Sequence, residues 1–86
     1  MTNTEIVARN DALRTKCRGG IIAMSPTVLA LPDWFRGRAL IRLSMPHKYI
    51  NEDHSEGQFV FGGWHFYWRI QEFEQLTLSL YMAEDF

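Results

Sequence analysis

At 86 residues, 47% hydrophobic and 14% aromatic, the chain suits one small compact domain and excludes a disordered segment. Its single cysteine, Cys17, excludes an intrachain disulfide and a cysteine-based zinc cluster, and no apolar run reaches the ~18 residues that cross a bilayer. The net charge of −1 is uneven: residues 1–50 carry eight Lys/Arg against three Asp/Glu, and residues 51–86 carry one against seven, so +5 and −6 sum to −1. The simplest account docks a basic helical half on an acidic sheet half. The opening MTNTEIVARND lacks the basic-then-apolar pattern of a signal peptide, so a soluble, cytoplasmic protein with no membrane partner is expected.

In chain order, Thr2 and Glu5 form a capping box, with the Thr2 hydroxyl accepting from the Glu5 N–H. A helix to about Lys16 follows, with Ile6, Leu13 and Cys17 on one stripe and Asn10 inside it. Glu5 and Arg9, four apart, are placed to pair. Asn10 is either a buried anchor bonding a nearby backbone group or an edge position in water. Gly19-Gly20 is expected to end the helix, since glycine accepts a left-handed C-terminal conformation. Ile21 to Met24 is short and apolar and reads as a strand. Ser25-Pro26 reads as an N-cap followed by proline at the first helical position, opening a single turn to about Leu29. Leu31-Pro32-Asp33 begins a longer helix of the same kind to about Ser44, with Pro32 at its first position, and Pro46 closes it. Trp34, Ile41 and Met45 fit its helical period, although Ile41 to Met45 also alternates like a strand and Gly37 weakens a helix; Pro32 and the length favour the helix, and Trp34 and Phe35 are assigned to the core. His47 to Glu56 is polar and reads as a loop.

The strongest pattern is Gly57 to Gln71, in which two aromatic and β-branched runs flank Gly62-Gly63. A two-residue glycine loop supplies the positive φ values of a tight hairpin turn and places Phe61 opposite Trp64, Val60 opposite His65 and Phe59 opposite Phe66. Asn should be tolerated at Gly62. Period-two alternation puts Phe59, Phe61, Trp64, Phe66, Trp68 and Ile70 on one face, which must be buried, and Gln58, Val60, His65, Tyr67 and Arg69 on the other. Glu72 to Gln75 makes a second turn. Leu76, Leu78, Leu80 and Met82 then alternate with Thr77, Ser79 and Tyr81 in a final strand. The fold expected is α+β in two layers: an antiparallel sheet of three to four strands ending in a C-terminal β-meander, covered on one face by two α-helices.

Several residue runs match a known pattern: Asn10-Asp11-Ala12-Leu13-Arg14, Gly19-Gly20, Ala30-Leu31-Pro32, Asp53-His54-Ser55-Glu56-Gly57, the set Phe59, Gly63, Phe66, Trp68, Arg69 and Ile70, and the ending Leu78 to Phe86. Together they span nearly the whole chain, and it resembles a family of small proteobacterial mobile-element proteins catalogued as a domain of unknown function. Glu72 to Gln75 is a tight connection where that family has a longer Asp/Pro-rich segment, so the chain looks like a shortened member. The resemblance implies a fold and a mobile-element setting. Small proteins of that setting are often inhibitors of host defence, anti-CRISPR proteins among them.

Residue chemistry points away from catalysis. Asp53-His54-Ser55 has the letters of a triad, but consecutive residues cannot adopt its geometry. Asp53, His54 and Glu56 could offer ligands to a divalent ion, yet metal sites need three or four converging groups, so no metal and no cofactor are expected. Cys17 between Lys16 and Arg18 could have a lowered pKa, but a packed thiol on the Leu13 stripe is the simpler reading. Trp, Tyr and Arg mark interface hot spots, which makes the face of Tyr67, Arg69, Tyr81 and His65 the candidate protein-binding surface. A non-enzymatic inhibitor that occupies the surface of a CRISPR effector or other host defence complex is therefore the leading expectation, with a homodimer left open. The alternative is a nucleic-acid-binding module using Arg9, Arg14, Arg18, Arg36, Arg38 and Arg42.

Overall fold

The structure, a computed structural model, describes residues 1–45 and 47–85. Helix α1 spans Asn3–Lys16, strand β1 Gly20–Met24, the one-turn α2 Pro26–Leu29 and α3 Asp33–Ser44. Strands β2 (Glu56–Phe61), β3 (Trp64–Glu72) and β4 (Leu76–Met82) follow, and a 3-10 turn, Ala83–Asp85, ends the described chain. The sheet order is β1-β4-β3-β2. The last three strands form the expected antiparallel meander, whereas β1 joins the sheet parallel to β4, so the sheet is mixed. A parallel pair needs a long crossover, and α2, α3 and the hairpin together provide it. No helix of the described residues is long and apolar enough to cross a membrane.

The period-two pattern sets which face is buried. Phe59, Phe66, Trp68, Ile70, Leu76, Leu78, Leu80 and Met82 meet Leu13, Val28, Ala39 and Leu43 from the helices in one core. Trp68, 2% exposed, lies across Gly57, where any Cβ would come within 2.6 Å of its ring. Trp64 shares that strand face but is 41% exposed, because the Phe35 ring stops over Phe61 and Gly62 and covers no more of the hairpin's end. Helix α3 docks through Phe35, Ala39, Leu40 and Leu43. Trp34, at 63% exposure, lies on the opposite side of that helix with Ile41 and Met45, which corrects its assignment to the core.

Most of the expected caps are present, with two differences, while the helix stop expected at Pro46 lies outside the described residues. Thr2 caps α1 by accepting from the Glu5 N–H at 3.2 Å, and Ser25 caps α2 by accepting from the Val28 N–H at 3.3 Å. Pro32 sits one position earlier than expected, as the N-cap of α3. Helix α1 is ended by Cys17 (φ 54°) rather than by the glycines: its N–H donates to the Leu13 carbonyl and the Arg18 N–H to that of Ala12. That turn lifts the thiol off the Leu13 stripe, so Cys17 is exposed and not a packed group.

Besides Leu13, helix α1 meets the rest of the fold through polar groups. Asn10, 1% exposed, donates to the Asp53 carbonyl at 2.8 Å. Arg14, 5% exposed, donates from Nη1 to the Leu43 and Met45 carbonyls and from Nη2 to the Tyr49 hydroxyl. Its guanidinium lies over the rings of Tyr49 and Trp68. His54 stacks on Tyr49 at 3.8 Å and bonds Asp11 through Nδ1 at 2.9 Å. Trp68 Nε1–H donates to His47 Nε2 at 2.9 Å, so that nitrogen carries no proton and Nδ1–H donates to the Met45 carbonyl. The segment from His47 to Glu56, expected as a polar loop, is thus tied to the fold at His47, Tyr49, Asp53 and His54.

Two predictions follow from this geometry. Gly62 and Gly63 lie at φ 59° and 80°, the two positive values of a type I′ turn. A Cβ at Gly62 would strike Phe35 at 2.6 Å, whereas Gly63 has open space, so the position that tolerates Asn moves from Gly62 to Gly63. In urea unfolding, Gly62→Val should cost about 2–3 kcal/mol and Gly63→Asn under about 1 kcal/mol; equal losses would contradict the turn.

Burial holds the His47 imidazole below its ordinary 6.5, and Arg14 and Arg42 add repulsion, while its bond to the Met45 carbonyl pulls the other way. The unfolded chain therefore binds the proton more readily, and His47 makes stability fall as pH drops from about 6.5 towards the folded value. The unfolding free energy of wild type minus that of His47→Gln should shrink between pH 7.5 and pH 5 (about 2.5 pH units); a constant difference would contradict the neutral, Trp68-bonded ring.

Candidate functional site

The face of the sheet away from the helices is built by the residues that alternate with the core. Strand register sets Tyr67 opposite Tyr81, Arg69 opposite Ser79, Gln58 opposite Tyr67 and Val60 opposite His65, and β1 adds Ile21 and Ala23 beside Thr77 and Ser79. His65 and Tyr67, two apart on one strand, stack with parallel rings at 4.8 Å, and His65 Nε2 bonds Gln58 Oε1 at 3.1 Å. Arg69 Nε meets Glu56 Oε1 at 3.2 Å across the strand pair.

Between these groups and the neighbouring loops lies an open groove of about 510 Å³. Tyr67, Arg69 and Tyr81 line it, joined by Ile50 from the 47–55 segment, Glu56 and Ala83. Three of the four candidate residues therefore meet in one depression, and the fourth, His65, braces Tyr67 from outside it. Sequence reading missed Ile50 and Ala83, which come from a loop and a terminal turn with no period to mark them. With Arg69 paired to Glu56, the groove carries little net charge and presents aromatic rings, an aliphatic side chain and one ion pair.

The six arginines of the alternative surface do not assemble. Arg14 is buried and spent on α3, and Arg36 bonds the Leu29 and Leu31 carbonyls and pairs with Asp33. Arg9 reaches Glu72 at 3.6 Å and Asn10, instead of pairing with Glu5. Arg38 lies over the Trp34 ring and Arg42 flanks a shallow hollow with Ile41, Met45 and Phe61, while Arg18 is exposed at the far end of α1. What remains on α3 is an apolar stripe edged by two cations.

The Asp53–Glu56 segment also diverges. The Asp53 carboxylate accepts from the Ser55 N–H, His54 (φ 58°) turns to Asp11, and Glu56 crosses to Arg69. Among the described residues no three His, Cys, Asp or Glu side chains come close enough to hold a metal ion. Comparison of the chain with protein-family models, with curated proteins and with solved structures gave no match, so the site is read from its own geometry.

Proposed function

We propose that this protein works by binding another protein, without catalysis, and that its contact surface is the outer sheet face centred on Tyr67, Arg69 and Tyr81. The observation that carries the reading is the groove itself. Its volume is that of a site for one or two inserted side chains, and its walls combine aromatic bulk with one oriented ion pair. Tyrosine and arginine at the centre of a surface are the residues around which binding energy concentrates. The pairing of Arg69 with Glu56 favours a protein surface over a phosphate backbone, which would need cations left unneutralised. The resemblance to small mobile-element proteins supplies the class of partner: a host defence complex, such as a CRISPR effector, inhibited by occupation of its surface.

Affinity capture from a host extract with the wild-type chain, with Tyr67→Ala/Arg69→Ala and with Arg38→Glu tests the assignment. The sheet-face double variant should lose the captured protein, with affinity down roughly thirtyfold or more, while Arg38→Glu keeps it and added salt changes capture little. Loss of capture in Arg38→Glu alone, or bound material that nuclease or about 0.5 M salt removes, would move the site to α3 and the function to nucleic-acid binding.

A further inference from the structure

We infer that the free edge of β1 is a self-association surface, and that two copies pair there antiparallel about Ile22 into one continuous sheet. The inference does not rest on the function proposed above. Successive residues of a strand turn their N–H and C=O groups to alternate sides. The Ser25 N–H donates to the Leu80 carbonyl on β4, so Ile21 and Ala23, in phase with Ser25, also face β4. Gly20, Ile22 and Met24 therefore present their N–H and C=O groups outward. Among the described residues no strand lies beyond β1 in the sheet order.

The two edges of the sheet are treated differently. At the β2 edge, Tyr49 bridges Gly57 and the Ile50 N–H donates to the Glu56 carbonyl, which covers the start of the strand. The β1 edge has none of the usual protections: Gly-Ile-Ile-Ala-Met contains no charge, no proline and no bulge, and Ile21 is 44% exposed.

A second copy fits this edge better than an unrelated strand because the edge is its own complement. Pairing Ile22 with Ile22 of the second copy sets Gly20 against Met24 of that copy and Met24 against its Gly20, so every outward N–H meets an outward carbonyl. On the outer face the exposed Ile21 then packs on Ala23 of the second copy. The charges agree with the antiparallel sense. Exposed Arg18 lies just before β1, and Asp85, bonded to the Ser25 and Thr27 hydroxyls, lies just after it. The twofold brings each Arg18 beside the second copy's Asp85, twice over; a parallel pair would set Arg18 against Arg18.

Sedimentation velocity of the full chain, from about 1 to about 300 micromolar, should show a concentration-dependent species of twice the chain mass. In a mixture of carbon-13-labelled and unlabelled chains, Hα of Ile21 should show an intermolecular contact with Hα of Ala23. Ile22→Pro removes an outward N–H while leaving the β4 ladder intact, and should be folded by circular dichroism and monomeric throughout. If that variant does not fold, Arg18→Glu gives the reading, with dimerisation weakened roughly tenfold. A wild-type chain that stays monomeric at the highest concentration overturns the proposal. So does a dimer that survives folded Ile22→Pro, or Arg18→Glu at unchanged strength, which would assign self-association to the exposed stripe of α3.

Discussion

Arg14 places a guanidinium in the interior, and burying that charge is tolerable only if most of its donors are met. The end of α3 meets them. The Leu43 carbonyl, in its last turn, has no partner further along the helix and lies at the negative end of the helix dipole, and the Met45 carbonyl follows just beyond it, so the two suit a cation. Tyr49 supplies a third acceptor and, with Trp68, the aromatic faces over which the cation lies. One side chain thus ties α1 to α3 and brings the 47–55 segment against the sheet. That segment carries Ile50 to the rim of the outer groove, so the groove's shape depends on a contact made on the other side of the sheet.

The elements formed by strong periodicity were legible in the sequence. The Gly62-Gly63 turn, the hairpin register and the leucine face of β4 all follow from period two, because a slip of one residue would expose the whole aromatic face. Asn10 was legible as one of two options, and the structure shows it as the buried anchor. The orientation of α3 was not, because that helix has two apolar stripes of the same period. Phe35, Ala39 and Leu43 form one; Trp34, Ile41 and Met45 form the other. Arg38 and Arg42 border the second, and it is the side left in water. Arg14 was misplaced among surface cations for a related reason: nothing local distinguishes an arginine whose acceptors lie twenty-nine and thirty-five positions further on.

For the candidate site, the alternation of β3 and β4 was enough to put Tyr67, Arg69 and Tyr81 on one face. It could not show the groove, whose walls also include a loop residue, Ile50, and a residue of the terminal turn, Ala83. Nor could it show that Glu56 neutralises Arg69, which follows from the strand register and turns a basic spot into an ion pair suited to a protein surface. Of the +5 and −6 halves, Arg9 to Glu72 is the Arg–carboxylate pair that joins one to the other among the described residues, while Arg69 and Glu56 both belong to the acidic half.

The most direct measurement is urea unfolding of Arg14→Met, combined with amide hydrogen exchange at Ile50 and Ile70, whose N–H groups bond the Glu56 and Ser55 carbonyls. Methionine keeps the unbranched stem as far as the Nε position and removes every donor, leaving the Leu43 and Met45 carbonyls and the Tyr49 hydroxyl without the cation. The account predicts a loss of about 3 kcal/mol or more and exchange protection lost first at Ile50. Stability within about 0.5 kcal/mol of wild type, with both amides still protected, would contradict the claim that Arg14 holds this segment, and with it the wall of the groove, in place.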